Sequence, residues 1–284
     1  MGMFDLRMHA FSRKLSGYLL DAALVASAGL MAMPFFWMIS TSLKSGKEVF
    51  RFVWLPARPV WENYMTVFES MPFLTYMGNS LFVTAVSAIG GTAITVFAAF
   101  AFAKLHFYGK KTIFALFIAS MFLPEELLLL PNYLTAMRLG WIDRYEAMIV
   151  PWLTNGVSVF MLVQHFSSIP RQYDYAARAD GVGPFYYLTK VLLPLSVPVI
   201  HMLMMLKAIA SWNAFMWPVM VTNRVEMRTL QAGLQAFSHE AGTAYELLMA
   251  ASVMTVLPII ILFGLLSKRI SLVLNSPIKR EKRH

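Results

Sequence analysis

Cysteine is absent from the 284 residues, so the chain can form no disulfide and offers no thiolate nucleophile or cysteine metal ligand. Charged residues are scarce as well, at 14% against about 25% in soluble domains. The sequence contains no G-x-x-x-x-G-K-[ST] phosphate loop, no G-x-S-x-G turn and no H-E-x-x-H helix, the usual signatures of an ATPase, a serine hydrolase and a zinc protease. We therefore expect no catalytic residue, no metal site and no cofactor bound by this chain.

Apolar residues make up 58% of the chain and are gathered into long uncharged runs. A helix needs about 20 apolar residues to cross the hydrocarbon core of a bilayer. The runs predict an all-α polytopic membrane protein with six transmembrane helices. The predicted spans are about 18–40, 76–103, 112–130, 147–166, 191–221 and 247–267. Bulky residues at 34–37, where a signal peptide would carry a small-x-small cleavage site, favour an uncleaved first span.

Two of the predicted spans contain features that are unusual at membrane depth. Gly90 and Gly91 lie in the middle of the second span, where small residues let helices approach closely. Pro124, Glu125 and Glu126 are expected to interrupt the third span near its end, and ionisable residues inside a membrane are costly and often functional. The simpler interpretation, which we favour, places the two glutamates at the wet end of the helix.

The basic residues are distributed unevenly between the segments that connect the spans. If the N-terminus is inside, the inner segments hold 15 of the 24 lysines and arginines, which is the positive-inside bias of a six-span protein. We expect a cytoplasmic N-terminus (1–17), a transmembrane domain (18–267) and a basic cytoplasmic tail (268–284). The net charge of +9 is then mainly a signal of topology. The tail suits anionic lipid headgroups, and no basic surface interleaved with aromatic residues indicates nucleic-acid binding.

The segment 169–190, between the fourth and fifth spans, predicts a cytoplasmic helix-turn-helix. Residues 171–179 are good helix formers, and Gly181 can adopt a positive φ angle and end that helix. Pro184 suits the first turn of a second helix. Pro194 and Pro198 are expected to disturb this helix where the next apolar run begins.

This segment resembles the EAA loop of ABC-importer permeases. Ala176, Ala177, Asp180 and Gly181 match the family pattern in register, whereas Tyr175 stands in place of the family's glutamate. Ser42-Leu43-Lys44, Trp212-Asn213 and the start of the sixth span extend the likeness over nearly the whole chain. It is most similar to the carbohydrate branch, the maltose- and glycerol-phosphate-type permeases, and among them to the smaller, six-span partner.

The resemblance implies a type I ABC importer permease in the bacterial cytoplasmic membrane. Such a chain forms a heterodimer with a second permease, binds two ATPase subunits that hold ATP and magnesium, and receives a sugar, oligosaccharide or related polyol from an extracytoplasmic binding protein. The resemblance places seven residues at the ATPase: Tyr175, Ala176, Ala177, Asp180, Gly181, Phe185 and Tyr186. For the two aromatic residues of the second helix, packing against this chain's own span ends is an equally good interpretation.

Three residues of the fifth span are candidates for the substrate path. Trp212 and Asn213 offer an aromatic face and a hydrogen-bonding amide, which sugars need, although both could instead pack structurally. Lys207, about 9 Å before Asn213 along a helix, could meet an anionic substrate, pair with a carboxylate of a partner subunit, or extend to the membrane interface. Two other functions remain open: a self-contained ion-coupled secondary transporter, for which internal repeats are lacking, and a structural subunit of a membrane complex.

Overall fold

The computed structural model describes residues 2–239 and 242–274, which are mostly helical. The predicted basic tail therefore lies largely outside the described residues. The helices are α1 (Gly2–Ser42), α2 (Gly46–Val49), α3 (Glu62–Ser70), α4 (Phe73–Lys104), α5 (Lys110–Ser120), α6 (Glu125–Arg138), α7 (Tyr145–Ile149), α8 (Gly156–Ser168), α9 (Arg171–Ala179), α10 (Pro184–Tyr187), α11 (Leu193–Asn213), α12 (Met216–Val221), α13 (Leu230–Gly233) and α14 (Tyr245–Leu274). Strands β1 (Ser238–His239) and β2 (Gly242–Thr243) form a small antiparallel pair.

The described residues fall into two compact units. The first contains the chain up to Ser70 together with residues 236–254, and the second contains residues 71–235 and those from Thr255 onward. By length and composition, three helices can cross a membrane: Leu20–Ser42, Phe73–Lys104 and Pro184–Asn213. Two bent helix pairs also qualify if each pair is one span, and Tyr245–Ile261 is a shorter apolar helix. The predicted all-α membrane fold is confirmed, whereas the count of six spans stays a prediction.

The first unit is built around a fully buried lysine. Lys44 Nζ donates a hydrogen bond of 2.6 Å to the backbone oxygen of Val53 and lies 4.1 Å from the centre of a Trp37 ring. The side-chain amide of Asn63 donates to the backbone oxygens of Ser42 and Lys44 at 2.8 and 2.9 Å. The Ser42-Leu43-Lys44 triplet therefore closes the end of α1, because its polar groups are paired within this unit.

The predicted third span is not one straight helix. α5 ends at Ser120, α6 begins at Glu125, and their axes differ by 107°. Pro124 precedes the first turn of α6, where a proline ends the helix before it, and the two glutamates follow in that first turn, where the helix dipole favours acids. The interruption expected late in the third span thus lies at Pro124, and it takes the form of a bend of 107°.

The predicted fourth and fifth spans also have different limits. The fourth is bent by 44° between Tyr145–Trp152 and Gly156–Ser168. In the fifth, the helix runs from Pro184 to Asn213, so the second helix of the loop is continuous with the span, and α12 is separate. A π-helical turn at Leu188–Leu192 lies directly before Pro194. A proline ring clashes with the carbonyl four residues earlier, and the wider turn at that carbonyl relieves the clash. The expected disturbance at Pro194 is therefore a local widening and not a break.

The core of the second unit lies where α4 meets α8 and α11. Leu162, Phe166 and Leu192 are fully buried there with residues of α4. The predicted close approach at Gly91 is confirmed, because a Cβ atom at this position would lie 2.3 Å from the backbone oxygen of Leu153. The missing side chain thus lets α4 contact the break between α7 and α8.

Candidate functional site

The loop that resembles the family motif is a short helix closed by a tight turn. α9 ends at Ala179, and Gly181 follows with φ of +69°, as predicted. The N–H of Val182 donates to the Ala177 oxygen at 2.9 Å, and the N–H of Gly181 donates to the Arg178 oxygen at 3.1 Å. This pair of hydrogen bonds is a Schellman closure, which needs a left-handed residue at the position of Gly181.

One face of the loop is turned away from the rest of the permease. Tyr175 is 63% exposed, Phe185 67% and Tyr186 56%, and Ala176 and Asp180 are exposed beside them. The described span ends leave Phe185 and Tyr186 largely uncovered, and contact of these two side chains with an ATPase stays a prediction. The residue that packs inward is the next one, Tyr187, which is buried. The loop thus presents three large aromatic side chains without a covering element among the described residues.

The opposite face of the loop is held by the core. Ala177 and Val182 pack against the buried cluster that contains Phe166 and Leu192. Ala177 therefore serves contacts within this chain, whereas its neighbour Ala176 is free to contact another protein. The small side chain of Ala177 thus allows close packing within this chain, and that of Ala176 leaves the outer side of α9 open.

A polar junction, formed by Lys104, Asp174 and Tyr187, connects the loop to the end of α4. Lys104 Nζ lies 3.0 Å from Asp174 Oδ2, and the Tyr187 hydroxyl donates a hydrogen bond to the other carboxylate oxygen. The side chains of Lys104 and Asp174 are only 10% and 23% exposed. Three elements, α4, α9 and α10, are thus joined at one carboxylate.

The electrostatics of this junction favour the ionised acid. Burial alone would raise the pKa of Asp174, but hydrogen bonds from Tyr187 and Lys104 and the charges of Lys104 and Arg178 outweigh it and lower the pKa below its ordinary value. Asp174 is therefore ionised at neutral pH, and the junction is charged under physiological conditions.

Sequence reasoning missed this junction, although a signal was present. Asp174 lies three residues before Ala177, so both occupy one face of the helix, while Tyr175 occupies another. The family motif drew attention to Tyr175 because of its departure from glutamate. The partner, Lys104, lies 70 residues away, directly after the predicted second span.

The second unit also encloses a cavity of about 660 Å³. It is lined by residues of α4, α6, α8, α11 and α12, and this volume lies within the range of small-molecule sites, about 300–1,000 Å³. Glu125 and Glu126 line it from the start of α6, where both are exposed. Trp217 lines it while its indole N–H donates to the backbone oxygen of Ala147 at 2.9 Å. The cavity is therefore amphipathic, with acids on an exposed part of its wall.

Lys207 is the cationic residue among the described residues that line this cavity. It is 8% exposed, so its side chain lies inside the second unit. Its Nζ donates to the backbone oxygen of Leu153 at 3.2 Å. This is the oxygen that approaches Gly91, so the lysine lies at the meeting point of α4, α11 and the break before α8.

The other two residues predicted for the substrate path lie elsewhere. Trp212 is buried, does not line the cavity, and donates its indole N–H to the backbone oxygen of Thr255 in α14 at 3.2 Å. Asn213 is exposed at the end of α11 and is likewise outside the cavity wall. Lys207 thus lines one cavity with Glu125, Glu126 and Trp217, whereas Trp212 and Asn213 are not part of its wall.

Residues 10–272 match the family model described as "binding-protein-dependent transport system inner membrane component". The arabinooligosaccharides transport system permease protein AraQ of Bacillus subtilis is 31% identical over 244 residues, which is 82% of this chain and 85% of that protein. The sulfoquinovosyl glycerol transport system permease protein SmoH of Agrobacterium fabrum is 31% identical over 241 residues, 84% of this chain and 85% of that protein.

A solved structure has the same fold. A chain of a bacterial ABC transporter involved in the import of the acidic polysaccharide alginate superposes with a TM-score of 0.78. The sequences are 23% identical, and the likeness covers 90% of this chain and 97% of that one.

Proposed function

We propose that this chain, which belongs to the family of binding-protein-dependent transport system inner membrane components, forms half of a carbohydrate path. In this proposal its 169–190 loop couples the path to a separate ATPase. The chain is a permease subunit of an ATP-binding-cassette importer with the type I fold, as the motif predicted. The secondary transporter and the purely structural subunit are therefore set aside.

The coupling role is supported by the different contacts on the two sides of the loop. Its outer side presents Tyr175, Phe185 and Tyr186, which are more than half exposed and suit an apolar groove of a partner. Its inner side is fixed to α4 by the ion pair between Lys104 and Asp174. A force applied to the outer side by an ATPase is therefore transmitted to a helix that lines the cavity, because α4 carries both Lys104 and the cavity residue Ser87.

The partners follow from the family and from the absence of an ATPase signature in this sequence. Two ATPase subunits bind ATP and magnesium beneath the loop, a second permease completes the path, and a binding protein delivers the substrate from outside. The loop and both termini lie in the cytoplasm, which the distribution of lysine and arginine supports. The membrane is the bacterial inner membrane, as the family description indicates.

The substrate class is a carbohydrate or a related polyol derivative. Support comes from the relatives, whose names specify arabinooligosaccharides and sulfoquinovosyl glycerol. Within this chain we place Lys207 in the substrate path, because it lines the cavity. Trp212 and Asn213 remain proposed contacts at the end of α11, where they would act in the assembled transporter and not in this cavity.

The test is purification of the chain with its chromosomally neighbouring permease, ATPase and binding-protein genes. We expect the ATPase to co-purify in a detergent-stable complex and its hydrolysis of ATP to rise when the loaded binding protein is added. A chain that purifies without any ATPase, or a complex whose hydrolysis ignores the binding protein, would contradict the proposed function.

A further inference from the structure

Lys207 occupies an unusual electrostatic position in the second unit. The described residues contain ion pairs between Lys104 and Asp174 and between Arg224 and Glu226, but no described acid lies within ion-pair distance of Lys207. An ammonium inside a membrane protein is costly unless it is paired or faces water. Of its three N–H donors, one is used on the Leu153 oxygen among the described residues, which leaves two for a ligand.

Two further donors without partners belong to residues that line the same cavity as this lysine. The Ser87 hydroxyl and the Trp152 indole N–H are buried and have no hydrogen-bond partner in the described part of the chain, and both residues line the cavity. Trp152 directly precedes Leu153, whose oxygen holds Lys207. Ser87 lies one turn before Gly91 on the same face of α4, and Gly91 approaches that same oxygen. The three residues that carry these donor groups therefore line one cavity, and two of them are linked to Leu153, Lys207 by its hydrogen bond and Trp152 by the chain.

A buried polar atom without a partner costs free energy, so an acceptor group that enters the cavity is favoured at this cluster. Because one of the three donors is a cation, a carboxylate, sulfate or phosphate group is favoured over a neutral hydroxyl. Glu125 and Glu126 on the exposed wall of the same cavity accept hydrogen bonds from hydroxyl groups. A molecule that carries several hydroxyls and one acidic group satisfies both walls at once.

We propose that Lys207, Ser87 and Trp152 form a subsite for the acidic group of an anionic carbohydrate, so that this subunit contacts its substrate directly. The inference rests on the proposed function, because it assumes that the cavity belongs to the carbohydrate path. The exposed glutamates do not cancel the lysine, because charges that remain in water are screened whereas a buried charge is not.

The experiment compares sugars that differ only in the acidic group. The probes are trigalacturonate with its neutral counterpart galactotriose, and trimannuronate with mannotriose, each measured by equilibrium binding to the complete transporter in nanodiscs. We expect at least one acidic sugar to bind about tenfold more tightly than its neutral counterpart, the order of magnitude for a charge-assisted hydrogen bond. Equal binding within both pairs, or binding of none of the four sugars, would overturn the subsite.

The variants assign the preference to individual side chains. Lys207→Met should abolish the preference for the acidic sugar and leave binding of the neutral sugar unchanged, and Lys207→Arg should retain most of it. Lys111→Met is the matched control, because this substitution removes the same charge outside the cavity wall. Lys111 is exposed at the start of α5. An acid preference that survives in Lys207→Met would overturn the proposal.

Two smaller variants protect the test against misfolding. If Lys207→Met does not assemble, Ser87→Ala and Trp152→Phe should each weaken binding of the acidic sugar several-fold, and unchanged binding in both would overturn the subsite. Loss of the second permease from Lys207→Met, with equal binding of acidic and neutral sugars by the native transporter, would assign the lysine to a partner's carboxylate instead. ATPase co-purification and its stimulation by binding protein, measured on the same samples, separate failure of the subsite from failure of the proposed function.

Discussion

Two lysines of the second unit are largely shielded from solvent but differ in their partners. Lys104, at the end of α4, lies 3.0 Å from the carboxylate of Asp174 in the 169–190 loop. Lys207, in the cavity, lies against a backbone oxygen and has no acidic partner among the described residues. A lysine that is paired with an acid of its own chain fixes two elements to each other. A lysine without such an acid leaves its charge available for a ligand or for another subunit. The first arrangement suits a rigid connection and the second suits recognition.

The largest effect on coupling is expected at the turn at Gly181, which sets the direction of the chain after α9. Gly181→Val places a β-branched residue at φ of +69°, which costs on the order of 1–2 kcal/mol or more and opens the Schellman closure. We expect the variant to insert into the membrane but to lose most stimulated ATP hydrolysis, measured in vesicles with the amount of bound ATPase quantified.

Gly183→Ala is the matched control for this substitution. Gly183 lies two residues further on, has φ of −68°, and has open space where a Cβ atom would be. This variant should keep normal coupling. Normal stimulation in Gly181→Val, or equal losses in the two variants, would remove the turn from the mechanism.

The second prediction concerns the contact that places Lys207. Gly91→Ala puts a Cβ atom 2.3 Å from the Leu153 oxygen, so the helices must move apart, at a cost of about 1–3 kcal/mol for an overpacked core. The melting temperature of the purified complex should fall.

Gly78→Ala, in the same helix, has no atom within 4 Å of the new Cβ atom. It should be neutral or stabilising by up to about 1 kcal/mol, because alanine favours a helix over glycine. Equal melting temperatures for the Gly91 and Gly78 variants would show that the close approach does not matter.

The third prediction tests the matched lysine through its acid. Asp174→Asn removes the charge but keeps the shape, and a partly buried ion pair contributes about 1–3 kcal/mol, between the values for exposed and buried pairs. We expect several-fold weaker stimulation of ATP hydrolysis with unchanged binding of the ATPase. Tyr187→Phe removes one hydrogen bond and should have a smaller effect of the same kind.

The pH dependence of the junction follows from the lowered pKa of Asp174. A carboxylate with a depressed folded pKa contributes its full stability above the unfolded value, about 3.9, and loses it only as pH falls through the lower folded value. The effect of Asp174→Asn on stimulation should therefore be constant between about pH 6 and pH 8. An effect that disappears within this window would mean that the pair is not charged as described.

Much of this architecture could be predicted from the sequence, but the residues that contact each other across long stretches of chain could not. The positive φ at Gly181 and the close approach at Gly91 follow from local chemistry, because glycine is the residue that these backbone positions tolerate. The break at Pro124 was recognised but its size was not, since a proline marks an interruption without fixing the angle of 107°. Asp174 was overlooked because its role depends on Lys104, and a single sequence does not show contacts between residues 70 positions apart.

The smallest predicted effect concerns the exposed aromatic face. Phe185→Ala and Tyr186→Ala remove side chains that are 67% and 56% exposed, so the stability of the permease should change by no more than about 0.5 kcal/mol. Affinity for the ATPase should fall, measured by titrating detergent-solubilised permease with the ATPase. Tyr187→Ala offers the contrast, because its side chain is buried and its removal should lower permease stability instead. A large loss of stability in the first two variants would mean that they pack within the permease.

The most direct measurement of the central claim exchanges the charges of the matched pair. Lys104→Asp and Asp174→Lys should each reduce stimulated ATP hydrolysis per bound ATPase, because each leaves two like charges in a partly buried junction. Combined in one protein, they should restore at least half of the native stimulation, since the attraction between α4 and α9 is re-formed with its direction reversed. If the losses of stimulated hydrolysis simply add in the double variant, the claim that this ion pair joins the loop to the membrane helices is contradicted.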